Sequence, residues 1–388
     1  MPITEMDGFE SGRTDQAASV VTAAGIPAIV ISPVYKSSTR SVNFAGTAIS
    51  SMTYGFARAI NGQAITGGSY SRVRVLLRVI FSSFPSPVAP EFSIVDFPGL
   101  SCRILPQNTG AIAIGTNNAS KTISTATLVP ATWYVFDIMV DNPGLNYVLK
   151  IYNQDMTTLI DTVTYAPASA ILTGSTVSIG KLIAVNGPPV FYFDAILIDV
   201  NTPLTPIVVG DWEVIRKNAI SNGTDTGWTG TFADIDEIPT SDAGDNINTQ
   251  TANAASTFGL QTNAAVGIVG TPLAVKVTNN LAQDVDEGAT INGVRMRQGG
   301  VAVDAVASLL TGTAAQRLSL VYNTDPTDLA AWTLAKIDSM QPGVANGGAR
   351  SQPVRDYNMV TQIAVNQSLI PPPPGGSAKQ AKLFMVTG

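Results

Sequence analysis

Eight carboxylates fall into two short clusters, and paired carboxylates are what acid–base hydrolysis of a glycoside or the binding of a hard cation would require. The first cluster is Asp234, Asp236, Glu237, Asp242 and Asp245; the second is Asp284, Asp286 and Glu287. Glycosidase chemistry needs two acids held at a fixed separation across a groove. The run Asp234-Ile235-Asp236-Glu237-Ile238-Pro239 instead reads as a turn. A calcium loop would use the same oxygens, but the spacing fits no recognised loop. The acids therefore read first as solvated loop residues, second as holders of a structural cation, and last as catalysts. No residue is assigned a catalytic, cofactor-binding or metal-binding role.

Other chemistries close for want of side chains. The chain contains no histidine, which removes Ser-His-Asp hydrolysis, Cys-His nucleophiles and histidine-ligated metals. Cys102 is the single cysteine, so no disulfide forms within the chain. It stands in or beside a strand, where a buried, unreactive thiol is expected. Gly180-Lys181 is followed by Leu182 and lacks the upstream glycine of a phosphate-cradling loop. Aromatic platforms for sugar stacking remain: Trp133, Tyr134, Trp212, Trp228 and Trp332. Trp133 heads an alternating strand, so core packing is its default. Trp228, between Gly227 and Thr229, reads as a loop residue and is the better ligand candidate, although plugging one end of a sandwich ranks ahead of contacting a glycan.

The elements that must position these residues are strands. Between Ser71 and Ile80, Val73, Val75, Leu77 and Val79 alternate with Arg72, Arg74, Leu76 and Arg78, which predicts one buried and one wet face. Arg72, Arg74 and Arg78 read as solvated or paired cations. Alternation also marks Ser41–Phe44, Glu91–Asp96, Ala111–Ile114, Trp133–Val140, Tyr147–Tyr152, Leu159–Tyr165 and Val190–Val200. In the second half it marks Leu273–Thr278, Gly293–Gln298, Arg317–Asn323 and Met359–Val365. Ser221 to Ala255 reads as loop-rich, Gly343 to Ser351 as a surface loop, and Ala330 to Ile337 as a short helix or a strand edge. Many short strands separated by turn residues predict an all-β fold of antiparallel sandwiches. At 388 residues the chain exceeds one ordinary core, so two tandem, jelly-roll-like domains are expected. The expected division is 1–204, 205–370 and a Pro/Gly-rich C-terminal arm, 371–388. Pro371 to Pro374 would form an extended spacer, and Leu383-Phe384-Met385-Val386 an apolar run able to add as a strand to a neighbouring sheet.

Only 13% of residues are charged while 45% are hydrophobic, a surface suited equally to a Thr/Asn-rich sandwich exterior and to packing against neighbours. The net charge of −6 argues against a nucleic-acid partner. The most apolar stretch, Ala23 to Val34, is interrupted by Pro27 and Pro33 and too short for a membrane span. No secretory signal is visible at the N-terminus, so folding in a cytoplasm is the expectation.

The order of several motifs carries a resemblance. Asp7-Gly8-Phe9-Glu10, Arg40-Ser41-Val42-Asn43-Phe44, Ala131-Thr132-Trp133-Tyr134 and Tyr192-Phe193-Asp194-Ala195-Ile196-Leu197-Ile198 occur as in the concanavalin A-like, laminin-G-like jelly rolls of tailed-phage virion proteins. Gly210-Asp211-Trp212-Glu213-Val214, Gly227-Trp228-Thr229, Asp236-Glu237-Ile238-Pro239, Thr257-Phe258-Gly259-Leu260, Ala274-Val275-Lys276-Val277 and Ala331-Trp332-Thr333 resemble the domain such proteins often carry next. The resemblance implies a non-enzymatic structural component of a bacteriophage particle, in head decoration or tail, made in the host cytoplasm and located in the virion. Its implied partners are other virion proteins and copies of itself as a homo-oligomer. A receptor- or carbohydrate-binding adhesin that recognises a host-surface glycan is the alternative. Neither a cofactor nor membrane insertion is implied, and no ligand site carries over.

Overall fold

The computed structural model describes most of residues 72–200 and 211–366, together with short strands among the first 64 residues; 201–210 and 367–388 lie outside the described residues. The expected domain boundary at 204/205 and the C-terminal arm, 371–388, fall in those two segments. Four sheets of five or more strands, with a two-stranded pairing of Ala59–Ile60 and Gln63–Ala64, hold the described strands, and every recorded strand pairing is antiparallel.

Two sheets face each other in the first half. One runs Leu159–Tyr165, Asn146–Asn153, Trp133–Asp141, Arg72–Ser83, Val190–Val200, Ser41–Phe44, Ala28–Val30, with Glu5–Asp7 also on Val190–Val200. The other runs Lys121–Ile123, Ile112–Gly115, Cys102–Pro106, Val95–Phe97, Thr176–Lys181, Ser50–Gly55, Ser19–Thr22. The period-two code sets which side chains meet between them. Val73, Val75, Leu77, Val79 and Phe81 share one core with Tyr134, Phe136, Ile138, Val140, Phe191 and Phe193. From the opposite sheet come Ile104, Ile112, Ile114, Val177 and Ile179. Residues i and i+2 of a strand point to the same side, so each strand delivers its apolar set to one face.

The second half repeats the plan with ten strands. Trp212–Lys217, Val354–Asn366, Thr271–Gln283 and Gln316–Tyr322 form one sheet, with Ile247–Thr249 added to Val354–Asn366. Ala219–Thr226, Ala255–Leu260, Gln341–Asn346, Thr290–Gln298 and Val301–Leu310 form the other. Ile215, Phe258, Val275, Val277, Val294, Met296, Val344 and Ile363 fill the space between them. The Ala330–Ile337 ambiguity resolves as a helix, Leu334–Ser339, because the Thr333 hydroxyl accepts from the Lys336 N–H and caps it.

Three expectations change. The face of Arg72–Ser83 read as wet is largely covered: Arg74, Leu76, Arg78 and Ile80 are buried, because the second domain packs on it. Gly343–Asn346, read as loop, is part of a buried strand. Gly343 is there for close approach, since a Cβ on it would stand 1.9 Å from the Ser256 carbonyl oxygen. The stretch from Ser221 likewise contains the Ala219–Thr226 strand, whose two register shifts against Ala255–Leu260 disguise its period.

Candidate functional site

The carboxylates do not converge. Asp234 sits in a 3-10 turn, Phe232–Asp234, where its Oδ2 accepts from the Thr231 N–H at 2.5 Å and the Thr231 hydroxyl at 3.0 Å. Asp284 forms a two-bond pair with Arg355, 2.7 Å on each arm, and those bonds, against the opposing effect of burial, hold it below the usual carboxylate range. Asp286 accepts from Gln283. Asp245 is exposed, and Asp236, Glu237, Asp242 and Glu287 lie outside the described residues. Among the described residues no group of three or more Cys, Asp or Glu could hold a metal ion.

The tryptophans are all interior. Trp228, expected in a loop, is 4% exposed; its indole N–H donates to the Ala254 carbonyl at 3.0 Å and its ring belongs to the second core. Trp332 likewise donates to the Tyr322 carbonyl. Trp133 packs with Ile80 and Tyr192. Trp228 therefore packs into the second core, in line with the packing role ranked ahead of a glycan contact, and offers no open stacking platform. Cys102 is fully buried, and burial pushes its thiol well up, with Asp96 adding to the shift, so it is no nucleophile.

What the fold does bring together is the charged face of the first domain and the outer face of the second. Met6, Leu76, Val135, Met156, Ala195 and Leu197 from one side pack with Trp212, Val214, Ala274 and Ala364 from the other. Buried charges are threaded through this apolar patch. Arg74 grips Asp137 with two bonds, 2.7 and 2.5 Å. Arg78 donates to Asp211 at 3.0 Å and to the carbonyls of Trp212 and Gln154. Its guanidinium also lies 5.1 Å from the centre of the Trp212 ring, a cation–π contact made stronger by the exclusion of water. Lys276, wholly buried, donates to the Met6 carbonyl at 2.9 Å. Arg74 is matched within its own sheet, whereas Arg78 and Lys276 reach across the domain boundary, and their desolvation is offset only while both domains stay in place.

The outward face of the second domain's other sheet is different. Val294 and Met296 point into the core, so Arg295 and Arg297 point outward. Arg295 binds Asp225 at 2.9 Å and Asp304 at 2.8 Å, and Arg297 binds Asp225 at 3.2 Å. Gln341 lies in the same array, accepting from Thr224 N–H and the Thr257 hydroxyl. This is a partly exposed lattice of planar polar groups bound to one another. The sequence signal for it is the alternation Val294-Arg295-Met296-Arg297, which places two guanidinia on one face.

No protein-family model matches the chain, and no curated protein matches it. Among solved structures it is similar to the cellulose induced protein Cip1, at 14% identity over 52% of this chain and 100% of that one, with a TM-score of 0.34. It is also similar to the tandem CBM22-1–CBM22-2 domain of Paenibacillus barcinonensis Xyn10C, at 10% identity over 93% and 97% of the two chains, with a TM-score of 0.24. The binding domain of botulinum neurotoxin DC, in complex with rat synaptotagmin II, gives 9% identity over 90% and 89%, with a TM-score of 0.32. What these likenesses share with this chain is an all-β sandwich architecture.

Proposed function

We propose that the chain is a non-enzymatic binding protein of a bacteriophage particle, which recognises other macromolecules through the outer faces of two sandwiches fixed back to back. The observation that carries this reading is the junction. Arg78, Asp211, Trp212 and Lys276 commit the inner faces of the two domains to each other, so the remaining sheets face away as surfaces of one block. A block of that kind presents contacts at fixed separation without paying ordering entropy on binding. The particle itself comes from the motif order of the two halves, as do the virion location and the role of other virion proteins as partners. Mass spectrometry of purified particles tests this: the chain is expected at stoichiometric level, and its absence from intact particles removes the virion role.

The Asp225–Arg295–Arg297–Asp304 lattice supports a second reading, recognition of a host-surface glycan, because fixed planar donors and acceptors suit hydroxyl-rich ligands. Adsorption of the purified protein to host cells, and its loss in Arg297→Ala with fold retained, is the expected result. Adsorption unchanged by that substitution removes the lattice as the site.

A further inference from the structure

The lateral edges of the four sheets are not equally guarded. Lys121–Ile123 is three residues long and carries a lysine. Trp212–Lys217 is buried along its whole length. Ala219–Thr226 has two register shifts, Gln316–Tyr322 carries Arg317, and Val301–Leu310 runs beside Ala59–Ile60. Short length, charge, bulges and cover are the devices that stop a free edge from pairing. Ser19–Thr22 and Ala28–Val30 are four and three residues long, and Leu159–Tyr165 is the longest edge left, among the described residues, with neither an outward charge nor cover by another strand. It spans seven residues, and among the described residues no strand pairs with its free side. Its single charge, Asp161, is turned back onto its own domain by bonds from the N–H groups of Ala126 and Thr162 and from the Thr125 hydroxyl. A bulge at Ile160 bends its start and leaves Asp161 to Tyr165 regular. Around that bulge, Ile123, Leu159 and Ile160 are 47%, 49% and 37% exposed.

We propose that this edge is an assembly site, and that its occupant is the same strand of a second copy, added antiparallel across a two-fold axis through Val163. The strand is complementary to itself in that register once the Thr162 N–H exchanges its bond to the Asp161 carboxylate for a cross-strand carbonyl. Val163 faces Val163, Thr162 faces Thr164, and Asp161 faces Tyr165, so no like charges oppose one another and two Thr–Thr pairs form, a favourable cross-strand combination. Symmetric pairing of one edge with itself closes the assembly at two copies and joins the two larger first-domain sheets into one. The inference rests on the assembly reading of the preceding section and deepens it by naming the partner and the contact.

Thr162 and Thr164 are exposed, so charge placed there acts on pairing and not on the core. Sedimentation of the full chain is expected to give a dimer. Thr162→Lys/Thr164→Lys and Thr162→Glu/Thr164→Glu, each with an unchanged far-ultraviolet circular dichroism spectrum, are expected to be monomers, and their equimolar mixture a dimer again. A monomeric parent protein, dimers in both variants, or no recovery on mixing would each overturn the proposal. A monomeric parent that is nevertheless found in particles overturns this inference and leaves the recognition reading standing; a dimer missing from particles does the reverse.

Discussion

The first sandwich's core and the junction between the sandwiches are both closed to water, yet they are built from opposite materials. The core is a cluster of apolar side chains, from Val73 to Ile198, and gains its stability from area removed from water, about 25 cal/mol per Å². The junction buries Arg74, Arg78, Asp137, Asp199 and Lys276 among Leu76, Leu197 and Trp212. Its charges must be matched at both ends before burial costs less than hydration. An apolar core tolerates small shifts in side-chain position, whereas the junction is satisfied in a single relative placement. That difference makes the junction the source of orientation and the cores the source of bulk stability.

The contrast sharpens first at Arg78. Arg78→Met takes the guanidinium away from Asp211, from the buried Trp212 carbonyl and from the Gln154 carbonyl, and is expected to destabilise the protein by about 3–5 kcal/mol in chemical denaturation. The double variant Arg78→Met/Asp211→Leu is expected to recover most of that loss, because neither charge then remains to be desolvated. A single variant as stable as the parent would show that the pair contributes nothing to the junction.

The next effect comes from a buried acid in the second sandwich. Asp356 is fully buried, and its Oδ1 accepts from the N–H groups of Asn280 and Asn358 while Oδ2 has no hydrogen-bond partner among the described residues. Burial, opposed by those two bonds, pushes its carboxyl up to about 8. The folded state therefore keeps a proton that the unfolded chain releases near pH 3.9. Stability from this residue falls as pH rises from about 4 to about 8, by up to about 1.4 kcal/mol per unit, and is level above that. Asp356→Asn keeps the acceptor and cannot ionise, so denaturation curves of parent and variant are expected to diverge across that window. Parallel curves would mean that the acid is hydrated in the folded protein.

The smallest effect is expected at the surface. Arg355→Ala breaks the exposed pair with Asp284 and should cost no more than about 1 kcal/mol, diminishing further in high salt. A cost as large as that of Arg78→Met would erase the distinction between buried and solvated pairs.

The sequence made strands legible where β-forming runs were bounded by turn residues, as in Leu159–Tyr165 and Val190–Val200, although each carries a bulge that breaks its alternation. It misled where one cause mimicked another. Arginines at Arg74 and Arg78 look the same in a sequence whether water or a second domain solvates them, because Asp137 and Asp211 are 63 and 133 residues away. Gly343 and its neighbours read as loop because glycine serves both turns and close backbone contact, and only the position of Ser256 decides which. Trp228 sits between turn-forming residues, but its bond to Ala254 and its packing on the core are long-range facts. The charged lattice around Asp225 was half legible: the alternation Val294-Arg295-Met296-Arg297 sets both guanidinia on one face, but the acids they meet, Asp225 and Asp304, lie on other strands.

Differential scanning calorimetry of the parent protein beside Trp212→Ala tests the joined block most directly. With Trp212 seated on Arg78, both sandwiches are expected to melt in one cooperative transition, and the substitution to split it into two. Two separate transitions in the parent, unmoved by the loss of Trp212, would contradict the account.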